Sequence, residues 1–361
     1  MKVLLSGYYG FDNAGDDAVL FAIVQALRET MPDVDITVLS NQPEKTAAQL
    51  QVKAVNRWGK LDLLKAIKQC DVLISGGGSL LQDVTSKNGI LYYLGIIWMA
   101  QKLRKKVLVY AQGIGPVQDG RNRAMTAKIL NKVQGITVRD FDSRNELIEM
   151  GVYREILVCV DPVLGITADE VDETLGKKLL EQDDSGWDSG KKTMMVAARN
   201  WAHSEQFFAE IARSCDAAVQ QGWQVVLLPF HYPEDVEAGR KIASLMKEQA
   251  VILTDNYSPQ ETMAILKNAD LVMGMRLHSL IMGAALLKPL IGLSYDPKVT
   301  SFMQLIRQPE CFSVDSVDAE QLIQAMQRLG QQTEQERTMQ RRNMEIMARQ
   351  AKAPAALLQS L

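Results

Sequence analysis

Arg276, His278 and Lys298 lie close together in the chain and have the side-chain types needed to hold a small anion and move a proton beside it. Arginine presents a planar fork that matches a carboxylate or phosphate, and lysine supplies a mobile point charge. A neutral imidazole can accept a proton from a hydroxyl. His278 follows Arg276 by two positions at the expected head of a helix, where the helix dipole and the neighbouring cation favour the uncharged ring. Each residue also has a structural alternative: Arg276 paired with Asp270 or Asp296, Lys298 solvated in a loop, His278 satisfied inside the core. The other histidines, His203 and His231, are read as surface or packing residues.

The hydrophobic pattern around these three residues predicts a βαβ unit. Residues 271–273 read as a buried strand, Gly274 breaks it, residues 279–287 form an apolar helix, and residues 290–293 form a second strand. Arg276 and Lys298 then stand at the carboxyl ends of neighbouring parallel strands, where α/β proteins bind ligands. The first half of the chain repeats the arrangement. A strand over 3–5 runs into a glycine-rich loop carrying Tyr8, Asn13, Asp16 and Asp17, followed by a helix to residue 30. Backbone N–H groups there could approach a ligand, but two acidic residues repel an anion, so the loop reads as a sugar or acceptor site. The competing reading is a tight turn with Asp16 as helix cap.

Further strands are predicted over 36–39, 72–75, 107–111, 136–138 and 158–160. The third strand of the chain, over 72–75, meets Gly76, Gly77, Gly78 and Ser79; three glycines in a row are costly in chain entropy, and close approach of a ligand is the preferred reason. The strand over 107–111 delivers a third glycine-bearing loop, Gln112 to Pro116, and the next two end at Arg139 and Asp161. Ser143 and Glu146 fit a capping box, as do Ser258 and Glu261. The expected fold is α/β, with two Rossmann-like domains on parallel sheets and a cleft between them. The domains are placed at 1–167 and 193–330, with a polar linker over 168–192 and a helix over 331–361.

Composition narrows the function. Forty basic residues oppose 43 acidic ones in 361, a net charge of −3, so no global field recruits nucleic acid. The four cysteines form no CxxC pair, and neither a metal nor a cofactor is expected: the histidines are dispersed, and GxSxG and Walker motifs are missing. The scattered cysteines read as reduced thiols of a cytoplasmic protein, and no apolar run is long enough to span a bilayer, so a soluble or at most membrane-associated chain is expected. Arg337, Arg341, Arg342 and Arg349 beside Met339, Met344, Ile346 and Met347 make a basic amphipathic C-terminal helix. It either lies on an anionic membrane or, as the preferred reading, packs back on the protein.

Taken together, Gly274 to Ser279, the Tyr295-Asp296-Pro297-Lys298 segment, the opening Gly7 to Asp16 loop, the Ser75 to Ser79 loop and the Gln112 to Pro116 loop resemble the polysaccharide pyruvyl transferase family. The similarity runs to about residue 310 and is nearest the CsaB-type bacterial members. The resemblance implies a GT-B-like fold and phosphoenolpyruvate as donor. It implies an acceptor N-acetylmannosamine, ketalated at its 4,6-hydroxyls, in a lipid-linked precursor of a secondary cell-wall polymer that anchors S-layer proteins. On this basis His278, Arg276 and Lys298 are the expected catalytic residues, with Arg139 and Ser279 joining Arg276 and Lys298 at the donor. Tyr8, Asn13, Asp16, Asp17, Gly77, Gly78 and Ser79 are expected at the acceptor. Peripheral membrane contact and a homodimer complete the expectations. The alternatives are a nucleotide-sugar glycosyltransferase of the same fold, a transferase leaving an enolpyruvyl ether, and a non-catalytic polysaccharide-binding protein.

Overall fold

The computed structural model describes residues 1–84, 89–182, 185–201 and 205–361; His203 lies outside them. The chain forms two compact units, Met1–Gly165 with Met347–Leu361, and Ile166–Ile346. The first is built on strands β1 (Lys2–Ser6), β2 (Asp35–Ser40), β3 (Lys53–Asn56), β4 (Val72–Gly76), β5 (Lys106–Gln112), β6 (Gly135–Val138) and β7 (Leu157–Val158). They pair in the order β3-β2-β1-β4-β5-β6-β7, all parallel. The connecting helices are α1 (Ala14–Thr30), α2 (Pro43–Leu50), α3 (Lys60–Gln69), α4 (Gly89–Lys102), α5 (Gly120–Leu130) and α6 (Phe141–Glu149). Burial on both faces explains why β1, β4 and β5 are near-continuous runs of Val, Leu and Ile. The short edge strand β3 has no such run and is not legible in the pattern.

The second unit begins with α7 (Glu173–Leu180) and continues through β8 (Thr193–Ala197), α8 (Glu205–Gln220), β9 (Gln224–Leu227), α9 (Glu234–Leu245), β10 (Val251–Ile252), α10 (Pro259–Lys267), β11 (Leu271–Gly274) and α11 (Leu277–Ala285). It ends with β12 (Leu290–Ser294), α12 (Pro297–Leu305), β13 (Cys311–Ser313) and α13 (Ala319–Gly330). Its strands pair in the order β10-β9-β8-β11-β12-β13, again parallel. The residues read as a linker carry more structure than that. Gly176 of α7 lies so close to α10 that a Cβ there would meet the Ala264 carbonyl at 1.9 Å, and Lys267 Nζ donates to the carbonyls of Ala168 and Val171 at 2.8 Å.

Helix α14 (Glu334–Gln359) buries Met344, Ala351, Ala355 and Leu358, while Met339 and Ile346 in its first half are exposed. Its last turns lie on α1, with Lys352 Nζ 2.8 Å from Glu29 and Gln359 Nε2 donating to the Thr30 carbonyl at 2.6 Å. The last turns of this helix therefore pack back on the protein.

The glycine run after β4 has a steric cause. Gly77 has φ +66° and lies against α1, where a Cβ would stand 1.9 Å from Val19 Cγ1; at Gly78 (φ +64°) it would meet Asp16 Oδ1 at 2.5 Å. Gly77 N–H donates to the Tyr110 carbonyl, and the Gly78 carbonyl accepts from Gly113 N–H. These glycines admit a helix, where the sequence suggested a ligand. Gly77→Ala combines left-handed strain with a helix clash and should cost about 2 kcal/mol or more in urea unfolding, partly relieved by adding Val19→Ala. A loss below about 0.5 kcal/mol would show that α1 is not held against this turn.

Candidate functional site

In the first unit the loops after β1, β4, β5 and β6 open along one edge. Asn13 caps α1, its Oδ1 accepting from Gly15 N–H (3.0 Å) and Asp16 N–H (3.4 Å), so the capping role belongs to Asn13 and not to Asp16. This leaves both carboxylates of the first turn, Asp16 and Asp17, half-buried beside the loop. Burial pushes the Asp17 carboxyl up to about 7; the Gly10 N–H, donating to it at 3.2 Å, opposes that rise and Asp16 adds to it. Asp16 lies against Gly78 and beside Tyr9, whose buried hydroxyl donates to the Gly76 carbonyl at 2.8 Å.

Arg139 stands at the mouth of β6, 7% exposed, with Nη1 3.1 Å from Asp161 Oδ2 and Nη2 donating to Ser79 Oγ at 3.1 Å. The fold thus joins Arg139, expected at the donor, to Ser79, expected at the acceptor. The cap of α6 is Asp140, which accepts from Ser143 N–H. Ser143 instead accepts from Ile114 N–H at 2.8 Å, and Glu146 from Val117 N–H and Arg123. The two residues expected to form a capping box hold the Gln112 to Pro116 loop in place.

An aromatic group flanks the β1 loop. Arg57 is 3% exposed, and its guanidinium carbon lies 5.0, 5.1, 4.5 and 5.6 Å from the rings of Phe11, Trp58, Tyr92 and Tyr93. Nη1 donates to the Gly7 carbonyl at 2.8 Å, which ties the glycine loop to this group. Tyr8 and Phe11 stack at 4.1 Å, and Tyr8 and Trp58 keep broad exposed faces. Sequence reasoning found only Tyr8, because the other rings, Phe11 in the same loop, Trp58, and the adjacent Tyr92 and Tyr93, have no common spacing.

In the second unit four neighbouring strand ends converge. Arg276 follows β11, and its Nε and Nη2 bond both oxygens of buried Asp235, from the start of α9, at 2.9 and 2.6 Å. Asp235 also accepts from the N–H groups of Phe230 and His231. The partner of Arg276 is therefore neither Asp270, which accepts from Thr193 N–H, nor Asp296, which caps α12 through Lys298 N–H. With the Nε edge engaged, the guanidinium keeps its Nη1–Nη2 edge for a second planar anion. His278 sits half-buried in the first turn of α11, and Lys298 half-buried in the first turn of α12, after the paired strands β11 and β12.

Ser279 does not belong to this group. It is fully buried, and its hydroxyl donates to the Arg276 carbonyl at 2.6 Å; helix packing against Gly274, where a Cβ would meet Ser279 Oγ at 2.3 Å, leaves it no access to a ligand. Arg199, at the end of β8, is a cation the sequence did not single out. It donates to Tyr295 Oη at 3.2 Å and lies 4.9 Å from that ring, which also contacts Trp201 at 5.1 Å. The buried thiols Cys70, Cys159 and Cys215 are pushed up by burial to about 11, 12 and 12, which makes them inert packing residues.

The model of the polysaccharide pyruvyl transferase family matches residues 13–297. The chain belongs to this family. It is 20% identical over 370 residues to the amylovoran biosynthesis protein AmsJ of Erwinia amylovora, covering 87% of this chain and 88% of that one. Among solved structures it is similar to the UDP-GlcNAc 2-epimerase of Neisseria meningitidis bound to UDP-GlcNAc, with TM-score 0.66, 13% identity and full coverage of both chains. HepE of Anabaena in complex with UDP-glucose gives TM-score 0.63 at 13% identity, again over both full chains. The ADP-heptose LPS heptosyltransferase II of E. coli gives 0.56 at 13%, over 91% of this chain and 98% of that one. These likenesses establish the GT-B-like fold, and the family makes the chain a polysaccharide-modifying transferase.

The raised Asp17 group gives a pH test. Its carboxyl holds a proton in the folded state up to about pH 7, whereas the unfolded chain releases it near the ordinary value of 3.8. Stability from this group is therefore full below the unfolded value and is lost as pH rises through 7. Asp17→Asn can still accept from Gly10 N–H and should raise Tm by a few degrees at pH 8, with the gain shrinking toward pH 5. A Tm difference independent of pH would place the Asp17 carboxyl in water.

Proposed function

We propose that this transferase moves the pyruvyl group of phosphoenolpyruvate onto two hydroxyls of one sugar in a cell-wall polysaccharide precursor, forming a cyclic ketal and releasing phosphate. The observation that supports this reading is the placement of Arg276, His278 and Lys298 just after the paired strands β11 and β12 in a chain of this family. Phosphoenolpyruvate is a small dianion or trianion with a planar carboxylate, suited to the Nη1–Nη2 edge of Arg276, and a phosphate, suited to Lys298 and the amino end of α12.

The reaction adds one sugar hydroxyl to the central carbon of the donor while its methylene carbon gains a proton. The second hydroxyl then displaces phosphate at the same carbon. Of the two hydroxyl protons, one ends in the new methyl group and the other leaves with phosphate. His278 is the group assigned to proton transfer at the donor, a role that contributes about 10²- to 10⁴-fold. Arg276 and Lys298 stabilise charge on the departing phosphate. On the acceptor side, Asp16 and Asp17 are suited to hydrogen-bond sugar hydroxyls. The exposed faces of Tyr8 and Trp58 are suited to stack on a pyranose ring. The role named for AmsJ, in amylovoran biosynthesis, supports a biosynthetic reading of this kind. An N-acetylmannosamine ketalated at its 4,6-hydroxyls, as in the CsaB-type members, is the specific acceptor proposed, with the reaction in the cytoplasm.

Phosphate release from phosphoenolpyruvate in the presence of N-acetylmannosaminyl acceptors tests this directly, and proton NMR of the product should show a methyl singlet without vinyl signals. His278→Ala should lower kcat by about 100-fold or more, and wild-type turnover in that variant would remove it from proton transfer. Arg276→Ala should raise the donor KM by about 10- to 100-fold, the loss of a charge-assisted contact of about 1.5–3 kcal/mol. Thermal stabilisation by UDP or GDP, with none by phosphoenolpyruvate, would replace the proposal with a nucleotide-sugar glycosyltransferase.

A further inference from the structure

The helices α3, α4 and α5 lie side by side on one face of the first sheet, their inner residues sharing a single core cluster that includes Leu63, Ile67, Leu94, Ile97 and Ile129. Their outer residues have an unusual makeup. Leu61 is 83% exposed and Trp98 50%, and Leu64, Leu91 and Met125 also face water. On α4 the exposed positions Leu91, Trp98 and Lys102 recur with helical period, so the outward stripe is apolar where a water-facing helix is normally polar. The same three helices carry seven basic side chains against one acid, Asp62, in a chain whose net charge is −3. Arg123 is held by Glu146 at 2.8 Å; Lys60, Lys65, Lys68, Lys102, Arg121 and Lys128 are exposed.

We infer that the outer face of α3, α4 and α5 docks on an anionic lipid bilayer, with Leu61, Leu64, Leu91 and Trp98 entering the headgroup region and the lysines meeting lipid phosphates. Exposed apolar side chains interleaved with lysine are what an interfacial contact needs, and Trp98, with Lys102 Nζ 5.6 Å from its ring, has the amphipathic form favoured at headgroup depth. Lysines near an anionic surface are attracted to it, and salt screens that attraction. Among the described residues no helix is long and apolar enough to cross a membrane, so the contact is one of lying on the surface. The basic stretch of α14 is the other candidate, but it exposes two large apolar side chains, Met339 and Ile346, against five on α3, α4 and α5, while its Met344, Ala351, Ala355 and Leu358 are buried.

The position of the patch gives it a use. Leu61 and Leu91 stand in the first turns of α3 and α4, beside Trp58 and Tyr92, at the same edge where the glycine loops open. Docked in this way, the acceptor loops face the headgroup layer, within reach of a sugar carried on a membrane lipid. This use rests on the function proposed above; the membrane contact itself does not.

Co-sedimentation of the full chain with vesicles of phosphatidylglycerol and phosphatidylcholine, against phosphatidylcholine alone, tests the inference. Binding should require the anionic lipid, weaken at 0.5 M salt, and fall at least tenfold in Leu61→Asn/Trp98→Gln and in Lys65→Glu/Lys68→Glu/Lys102→Glu. Arg341→Glu/Arg342→Glu should bind as wild type does. Circular dichroism and phosphate release with a water-soluble acceptor should be unchanged in all three variants, which separates loss of docking from loss of fold or of chemistry. Wild-type binding by both patch variants, loss of binding in the α14 variant, or no binding by the wild type would overturn the inference. So would a wild-type dimer, seen by sedimentation velocity, that Leu61→Asn/Trp98→Gln converts to monomer, since a second copy would then own the patch.

Discussion

Every strand in each sheet runs parallel to its neighbours, and this forces all strand carboxyl ends, with the loops that follow them, onto one edge. Residues far apart in sequence are gathered there by the order of the strands. Asp235, Arg199, Arg276 and Lys298 follow β9, β8, β11 and β12, which are consecutive in the sheet although not in the chain. In the first unit Gly10, Gly78, Gly113 and Arg139 follow β1, β4, β5 and β6 in the same way. The backbone hydrogen bonds of the sheets hold these loop origins about 4.8 Å apart, a spacing suited to ligands the size of a sugar or a phosphorylated acid.

Both units present an arginine at a strand mouth, backed by a buried aspartate: Arg139 by Asp161, and Arg276 by Asp235. Removing a guanidinium from water is costly unless a carboxylate accepts its N–H groups, and a buried carboxylate needs further donors in turn. Asp235 finds them in two backbone N–H groups, and Asp161 in Val163 N–H. The result is a cation fixed in direction before any ligand arrives, with less side-chain entropy left to lose on binding. Arg57 solves the same problem differently, with four aromatic rings and a carbonyl in place of a carboxylate. It thereby keeps its positive charge within a surface that still offers ring faces to solvent.

Close approach of α1 to the turn after β4 links fold and site. Because Gly77 and Gly78 let the helix come in, Asp16 and Asp17 are carried into partial burial at its first turn, and the raised Asp17 group follows from that depth. A feature that looks designed for a ligand is first a feature of packing. Its chemical consequence, a carboxyl that changes charge near neutral pH, is inherited from that packing.

Read alone, the sequence determined the α/β class, the parallel strands with long apolar runs, the helix starts marked by Ser258 and Pro259, and the stretch carrying Arg276, His278 and Lys298. Hydrophobic period and cap chemistry are local, so they survive without neighbours. Short edge strands such as β3, β10 and β13 lack the burial that creates a pattern, and they emerge only through their pairing. Tertiary structure alone decided that Asp235 partners Arg276, that Ser143 and Glu146 brace a loop, that Ser279 is shut inside, and that five residues from three segments form the Arg57 cluster. Those outcomes depend on which strand lies beside which, and strand order is set by the energetics of the whole sheet and not by any short run of residues.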